Sequence, residues 1–141
     1  MNIAIVYSNK SKYAHVLATK MAKVARTQAI TIQDYDFSNH VDLLVLGFDC
    51  PLFGKPKEVE QFISRLNRHQ VKNIALFTTF IFSSKALDDI SDLCMKKDLP
   101  LMREQYCCKM PIEIHGCLSD NAINGGQIYI DDMINICRDY Y

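Results

Sequence analysis

The fold is decided by the segment Ile3-Ala4-Ile5-Val6-Tyr7-Ser8-Asn9-Lys10-Ser11-Lys12-Tyr13-Ala14, in which an apolar run ends in a polar turn that opens into a helical pattern. Such a turn lies where a strand leaves its sheet, so the first backbone N–H groups of the next helix point out of it. The positive end of the helix dipole lies behind those groups, and Ser8 and Ser11 add hydroxyl donors. The segment predicts a phosphate-binding turn, with an ordinary strand-to-helix turn as the alternative.

Apolar runs elsewhere in the chain predict a parallel sheet. Residues 3–7, 43–48 and 74–80 are nearly continuous in apolar character, as strands that are covered on both faces require. Weaker patterns predict two more strands, at 31–35 and 101–107. We therefore expect a sheet with helices on both of its faces.

Helical spacing of apolar residues fills the intervals between these strands. The first two helices are predicted around Leu17 and Val59, the third over 84–96 and the last over 130–138. Residues 108–127 contain one proline and three glycines and are predicted to be irregular. Long irregular segments in compact domains are often functional.

Length and composition limit the classes of protein. The 141 residues are 49% hydrophobic, enough for one substantial core, and sixteen basic side chains balance sixteen acidic ones, which favours neither nucleic acid nor an anionic membrane. No apolar run approaches the ~20 residues that span a bilayer, and no leader pattern is recognisable, so a cytoplasmic location is expected. The six cysteines lack the spacing of a zinc site and are predicted to be free, mostly buried thiols.

Strands that alternate with helices predict an α/β fold. We expect one domain over residues 1–141, a three-layer doubly wound sandwich whose five-stranded parallel sheet has the order 2-1-3-4-5. Ligands of such sheets bind beyond the carboxyl ends of the strands, at the switch point beside strand 1. The candidate site therefore consists of three turns, 8–13, 49–55 and 78–83.

The first turn carries a family resemblance. Ser8 and Ser11 fall on hydroxyl positions of the pattern Ser/Thr-x-x-Thr-Gly-x-Thr, with Lys12 at the usual glycine and Ala14 at the last threonine. The segment resembles the phosphate loop of the flavodoxin family, and the strand pattern extends this resemblance over almost the whole chain. The resemblance implies that the protein binds flavin mononucleotide (FMN) and passes electrons between a reductase and an acceptor, without catalytic side chains of its own. Lys10 and Lys12 are candidates to pair with the phosphate.

The other two turns resemble the family's flavin loops. This implies that Phe53, or else Leu52, covers one face of the isoalloxazine ring, while burial of Phe53 in the core is the alternative. Cys50 lies in the same turn, where an exposed position is one of the alternatives. The predicted cofactor-binding residues are Ser8, Asn9, Lys10, Ser11, Lys12, Tyr13, Asp49, Cys50, Leu52, Phe53, Gly54, Thr78, Thr79, Phe80 and Phe82. No metal ligand is predicted.

Two other functions stay open. A fold of this kind also serves as an interaction module that has lost its cofactor. The receiver domain of a phosphorelay shares the strand order, and Asp49, Thr79 and Lys109 stand near its phosphoacceptor, switch hydroxyl and lysine, although Ser8 and Asn9 replace the acidic pair that would hold Mg²⁺. The neighbouring Cys107 and Cys108 are predicted to be buried or half-buried thiols.

Overall fold

The computed structural model describes residues 1–140, and its centre is a five-stranded parallel sheet in the order β2-β1-β3-β4-β5. The elements are β1 (Ile3–Tyr7), α1 (Lys12–Ala25), β2 (Ala29–Thr31), β3 (Leu43–Asp49), α2 (Lys57–Arg65), β4 (Ile74–Phe80), α3 (Lys85–Lys96), β5 (Leu101–Lys109) and α4 (Asp120–Tyr140). The predicted α/β sandwich and strand order are confirmed. None of the helices within these residues is both long and apolar enough to pass through a membrane.

Apolar side chains on both faces of the sheet hold the helices in place. One buried cluster joins Leu46 and Phe48 of β3 to α2 and α3. The other joins Val45 of β3 and Phe77 of β4 to α1 and α4. Because successive side chains of a strand point to opposite faces, continuous apolar runs supply both layers at once.

The register of the strands brings three turns to one edge. Tyr7 at the end of β1 pairs with Gly47, and Asp49 at the end of β3 pairs with Thr79. Thr79 pairs in turn with Cys108 near the end of β5. The turns after β1, β3 and β4 therefore start side by side at the carboxyl edge of the sheet.

Two predicted elements differ from the structure by more than two residues at one end. The second strand is Ala29–Thr31 instead of 31–35, since the chain turns after Thr31 and inserts Ile32 and Tyr35 into the core. The last helix begins at Asp120, so the irregular segment covers only 110–119.

The glycines at 125 and 126 explain why the start of α4 was missed. They lie inside the helix, where they permit close packing instead of ending it. A Cβ on Gly125 would lie 2.5 Å from the Tyr106 hydroxyl, and one on Gly126 would lie 3.2 Å from atoms of Leu17 and Met21. Glycine at these positions lets α4 approach β5 and α1, a tertiary requirement that local helix propensity does not reveal.

Burial of Cys94 in α3 predicts a loss of stability at alkaline pH. Desolvation raises the pKa of this thiol from 9.0 to about 11. The folded chain therefore holds the proton more tightly than the unfolded chain, and the resulting stability is present below pH 9 and lost as the pH rises towards about 11. We expect Cys94→Ala to reduce the fall in the free energy of unfolding over this window by about 2 kcal/mol, measured by urea denaturation.

The exposed thiol of Cys117 offers the matched control for this experiment. Cys117→Ala is expected to leave the alkaline fall as it is in the parent protein. Equal pH slopes for Cys94→Ala and Cys117→Ala would contradict the prediction.

Candidate functional site

The carboxylate of Asp49 caps the N-terminus of α1. Asp49 is the last residue of β3, and its Oδ2 and Oδ1 accept hydrogen bonds from the backbone N–H groups of Tyr13 and Ala14 at 3.0 and 2.8 Å. The Thr79 hydroxyl donates a third bond to Oδ1 at 2.6 Å. A carboxylate is favoured here by the helix dipole and by N–H groups that have no partner within the helix. Three predicted site residues thus meet, but they form an internal cap.

The serines of the first turn are also engaged within the protein. Ser8 is fully buried, and its hydroxyl donates to Glu58 Oε1 of α2 at 2.9 Å while accepting the N–H of Lys10 at 3.3 Å. Ser11 occupies the N-cap position of α1 without forming a side-chain cap, and its Oγ accepts the N–H of Asp49 at 2.8 Å. The two hydroxyls predicted to bind phosphate therefore fasten the turn to α2 and β3.

The phosphate of FMN does not fit the first turn of α1 in this arrangement. Two of the N–H groups that a phosphate would use at the helix N-terminus already donate to Asp49. A phosphate dianion placed there would also meet a carboxylate of like charge. Lys10 and Lys12 are exposed, and the Lys12 ammonium lies 5.3 Å from the centre of the Tyr13 ring. The pairing of these lysines with phosphate stays a prediction.

Polar side chains at the start of the second and third turns are buried in the protein. Thr78 is fully buried and its hydroxyl donates to the carbonyl oxygen of Phe48 at 2.6 Å. Cys50 Sγ lies 3.2 Å from the same hydroxyl, and only 6% of Cys50 is exposed. Of the alternatives for Cys50, the structure shows the buried one, because the side chain turns into the core formed with Phe48. Burial raises the pKa of the Cys50 thiol, which disfavours the reactive thiolate.

The apolar side chains of these turns have the opposite placement. Phe53 is 92% exposed and Phe82 is 84% exposed, while Leu52 beside Phe53 is also exposed. The alternative that Phe53 fills the core is wrong. Phe80 is partly buried against the core. Gly54, which follows Phe53, has φ 78°, a left-handed conformation that favours glycine. The turns after β3 and β4 thus each expose a large aromatic side chain to solvent.

Two clefts open beside the turns that carry these rings. One, of about 330 Å³, lies between the first and second turns and is lined by residues that include Lys10, Asp49 and Lys55. The other, of about 390 Å³, lies between the second and third turns. Both are lined by Cys50, Pro51 and Lys55, so they adjoin along the second turn. Each has a volume near the lower limit for a small-molecule pocket, about 300 Å³.

Residues of α2 and of the segment after β5 also lie at this edge, and the sequence did not predict them. Glu58 bonds to Ser8, and Met110 lines the smaller cleft. Ile112 and Ile114, in the irregular segment after β5, are 80% and 86% exposed. The signal in the sequence is a pair of isoleucines within residues 108–127, which the sequence predicts to be irregular. We refer to Leu52, Phe53, Phe82, Ile112 and Ile114 as the apolar rim.

The paired cysteines of β5 have separate environments. Cys107 is exposed, which corrects the prediction that both thiols are at least half buried, whereas Cys108 is partly buried. Burial, together with Cys107 and Asp49, raises the pKa of the Cys108 thiol to about 11. The two thiols point to opposite faces of an edge strand, which keeps them apart as free cysteines.

One contact expected of the receiver alternative is present in the structure. Asp49 and Thr79 do meet, but the carboxylate is directed at α1. Within residues 1–140, no group of three His, Cys, Asp or Glu side chains is arranged to hold a metal ion. The Asp49 carboxylate therefore caps α1 and does not have the geometry of a phosphoacceptor.

Comparisons with known proteins find likeness in structure alone. No family model and no curated protein matches the sequence. A flavodoxin from the domain Archaea matches with a TM-score of 0.75 at 15% identity, over 98% of this chain and 99% of that chain. Oxidised flavodoxin 1 from Bacillus cereus matches with a TM-score of 0.72 at 14% identity, over 96% and 98% of the two chains.

The chain has the flavodoxin fold. The same fold forms part of a longer protein, a flavodiiron core from Synechocystis, which matches with a TM-score of 0.74 at 14% identity over 100% of this chain and 37% of that chain. At such identities the likeness establishes the flavodoxin fold and leaves the ligand to be argued from this chain's own residues.

Proposed function

We propose that this flavodoxin-fold protein binds a flavin at the carboxyl edge of its sheet and carries electrons between a reductase and an acceptor. The observation that carries the proposal is a pair of exposed rings, Phe53 after β3 and Phe82 after β4, on the two turns whose other residues line one cleft. A planar aromatic ligand removes such rings from water and stacks on them. The fold's solved relatives include flavodoxins, which supports a flavin as that ligand.

The chain's own residues would bind and orient the flavin, which when bound supplies the redox chemistry. Phe53 or Leu52 covers one face of the ring, and Phe82 covers its edge or second face. Backbone groups of the turns bond the ring's polar edge. Thr78 and Thr79 hold the turns from beneath through their internal hydrogen bonds.

Redox partner proteins would dock on the same edge. Ile112 and Ile114, in the segment after β5, add exposed apolar side chains, and Lys10, Lys12 and Lys55 are exposed in or beside the turns after β1 and β3. Exposed apolar side chains together with lysines favour a partner whose interface carries acidic groups. Docking there would bring an acceptor close to the exposed edge of the flavin.

A second candidate function is that of an interaction module without a cofactor. The observation that favours it is the Asp49 carboxylate, which occupies two N–H groups of α1. This candidate uses the same apolar rim for a partner protein. The two functions differ in one measurable property, the affinity for a flavin.

Titration of riboflavin and of FMN into the purified protein tests the proposal. We expect quenching of flavin fluorescence with a dissociation constant in the micromolar range for at least one of the two flavins. The exposed rings provide the quenching contact, since stacked aromatic side chains lie against the isoalloxazine. Absence of quenching by either flavin, with a folded protein, would favour the interaction module.

A further inference from the structure

We infer that Asp49 is a specificity-determining residue, which occupies the phosphate-binding part of the site and removes the advantage of FMN over an unphosphorylated flavin. This inference rests on the proposed function, because it names the class of flavin that the site accepts. It begins from the mismatch between an FMN phosphate and the first turn of α1. The class it favours is a flavin with a neutral side chain, of which riboflavin is the probe.

The bonds of Asp49 account for both oxygens of the carboxylate. Oδ2 accepts the N–H of Tyr13, and Oδ1 accepts the N–H of Ala14 and the hydroxyl of Thr79. The backbone N–H of Asp49 itself donates to Ser11 Oγ. Asp49 is thus fixed from both its backbone and its side chain, at the point where β3 meets α1.

A phosphate could reach the N–H groups of Tyr13 and Ala14 only by displacing this carboxylate. Charge-assisted bonds to backbone N–H groups are among the stronger hydrogen bonds in proteins, so their loss opposes entry. The displaced carboxylate would remain near the phosphate, since Ser11 holds the Asp49 backbone beside the turn. Glu58, which bonds to Ser8 and lines the same cleft, adds a second negative charge. The phosphate therefore contributes little to binding in the natural sequence.

The exposed lysines near the turn do not reverse this balance. Lys12 places its ammonium over the Tyr13 ring, while Lys10 and Lys55 line the same cleft from exposed positions. Exposed lysine charges are screened by water and salt, whereas the Asp49 carboxylate is held at the N–H groups themselves. The site should accept a flavin through its ring.

The ratio of FMN to riboflavin affinity tests the inference. In the natural protein we expect a ratio within about threefold of one. Asp49→Asn removes the charge and keeps most of the side chain's shape, and Asp49→Ala vacates the N–H groups; for both we expect the ratio to rise at least about tenfold in favour of FMN. Glu58→Gln removes a charge from the same cleft without freeing an N–H group, so its ratio should change less than that of Asp49→Asn.

The outcomes separate this inference from the proposed function. A natural protein that prefers FMN by more than about tenfold, or a ratio that Asp49→Asn leaves unchanged, overturns the role of Asp49. If neither flavin binds any variant, the proposed function fails, and a measurement without flavin then decides the role of Asp49.

That measurement follows the Tyr13 and Ala14 amide signals in NMR spectra while inorganic phosphate is added. We expect phosphate to shift them in Asp49→Asn or Asp49→Ala and not in the natural protein. The same spectra report whether each variant is folded. Equal shifts in the natural protein, or none in either folded variant, overturn the inference.

Discussion

Gly47→Ala is expected to lower the free energy of unfolding by about 3 kcal/mol or more, the largest effect on stability that we expect from any single methyl group in this chain. Gly47 lies in β3 and faces the Phe77 ring of β4. A Cβ at Gly47 would overlap three atoms of that ring. Phe77 is fully buried in a central strand, so the ring has no free space into which it could move.

Urea denaturation of two further variants isolates the cause. Gly54→Ala is the matched glycine control: it meets no atom within 4 Å, and its cost of about 1 kcal/mol arises from φ 78° alone. Phe77→Leu shortens the side chain that the new methyl group would meet, so Gly47→Ala should cost much less in that background. Equal losses in the free energy of unfolding for Gly47→Ala and Gly54→Ala would contradict the explanation by overlap with Phe77.

The sequence predicted the architecture because burial on two faces leaves a strong local pattern. The strands Ile3–Tyr7 and Ile74–Phe80 have the predicted bounds, since each apolar run ends where its chain leaves the sheet. The edge strand Ala29–Thr31 was misplaced for a related reason. The apolar residues that follow it, Ile32 and Tyr35, fill the core from a turn, so apolar character alone did not mark the strand.

Less of the candidate site was predictable, because side-chain partners depend on contacts between distant segments. The turns themselves follow from the strand order. Nothing local to Asp49, however, indicates that its carboxylate binds N–H groups 35 and 36 residues earlier in the chain. Ser8 and Ser11 likewise carry hydroxyls that suit a phosphate, and the partners they adopt, Glu58 and the Asp49 backbone, come from other elements.

The exposure of the aromatic side chains could not be predicted from the local sequence either. Phe48 and Phe53 lie five positions apart, yet the first is fully buried and the second is 92% exposed. The difference is set by where β3 ends, since Phe48 is covered by helices while Phe53 lies on a turn beyond them. A ring that the fold leaves in water carries more functional information than one that it buries.

Simultaneous replacement of Phe53 and Phe82 by alanine is expected to weaken flavin binding about a hundredfold, which corresponds to about 2.7 kcal/mol. Each ring contributes stacking of about 0.5–1.5 kcal/mol beyond the apolar area that it covers. Because 92% and 84% of these residues are exposed, stability should change by less than about 0.5 kcal/mol per substitution.

Met95 supplies the matched control, since it is 61% exposed near the far end of α3. Met95→Ala should leave flavin affinity as it is, because the residue lies away from the carboxyl edge. Fluorescence titration measures the affinities, and urea denaturation verifies the folds. If the double variant binds flavin as tightly as the natural protein, neither ring belongs to the flavin site. The apolar rim would then be assigned to the binding of a partner protein. A hundredfold loss of flavin affinity with unchanged stability would instead show that the two exposed rings stack on the ligand.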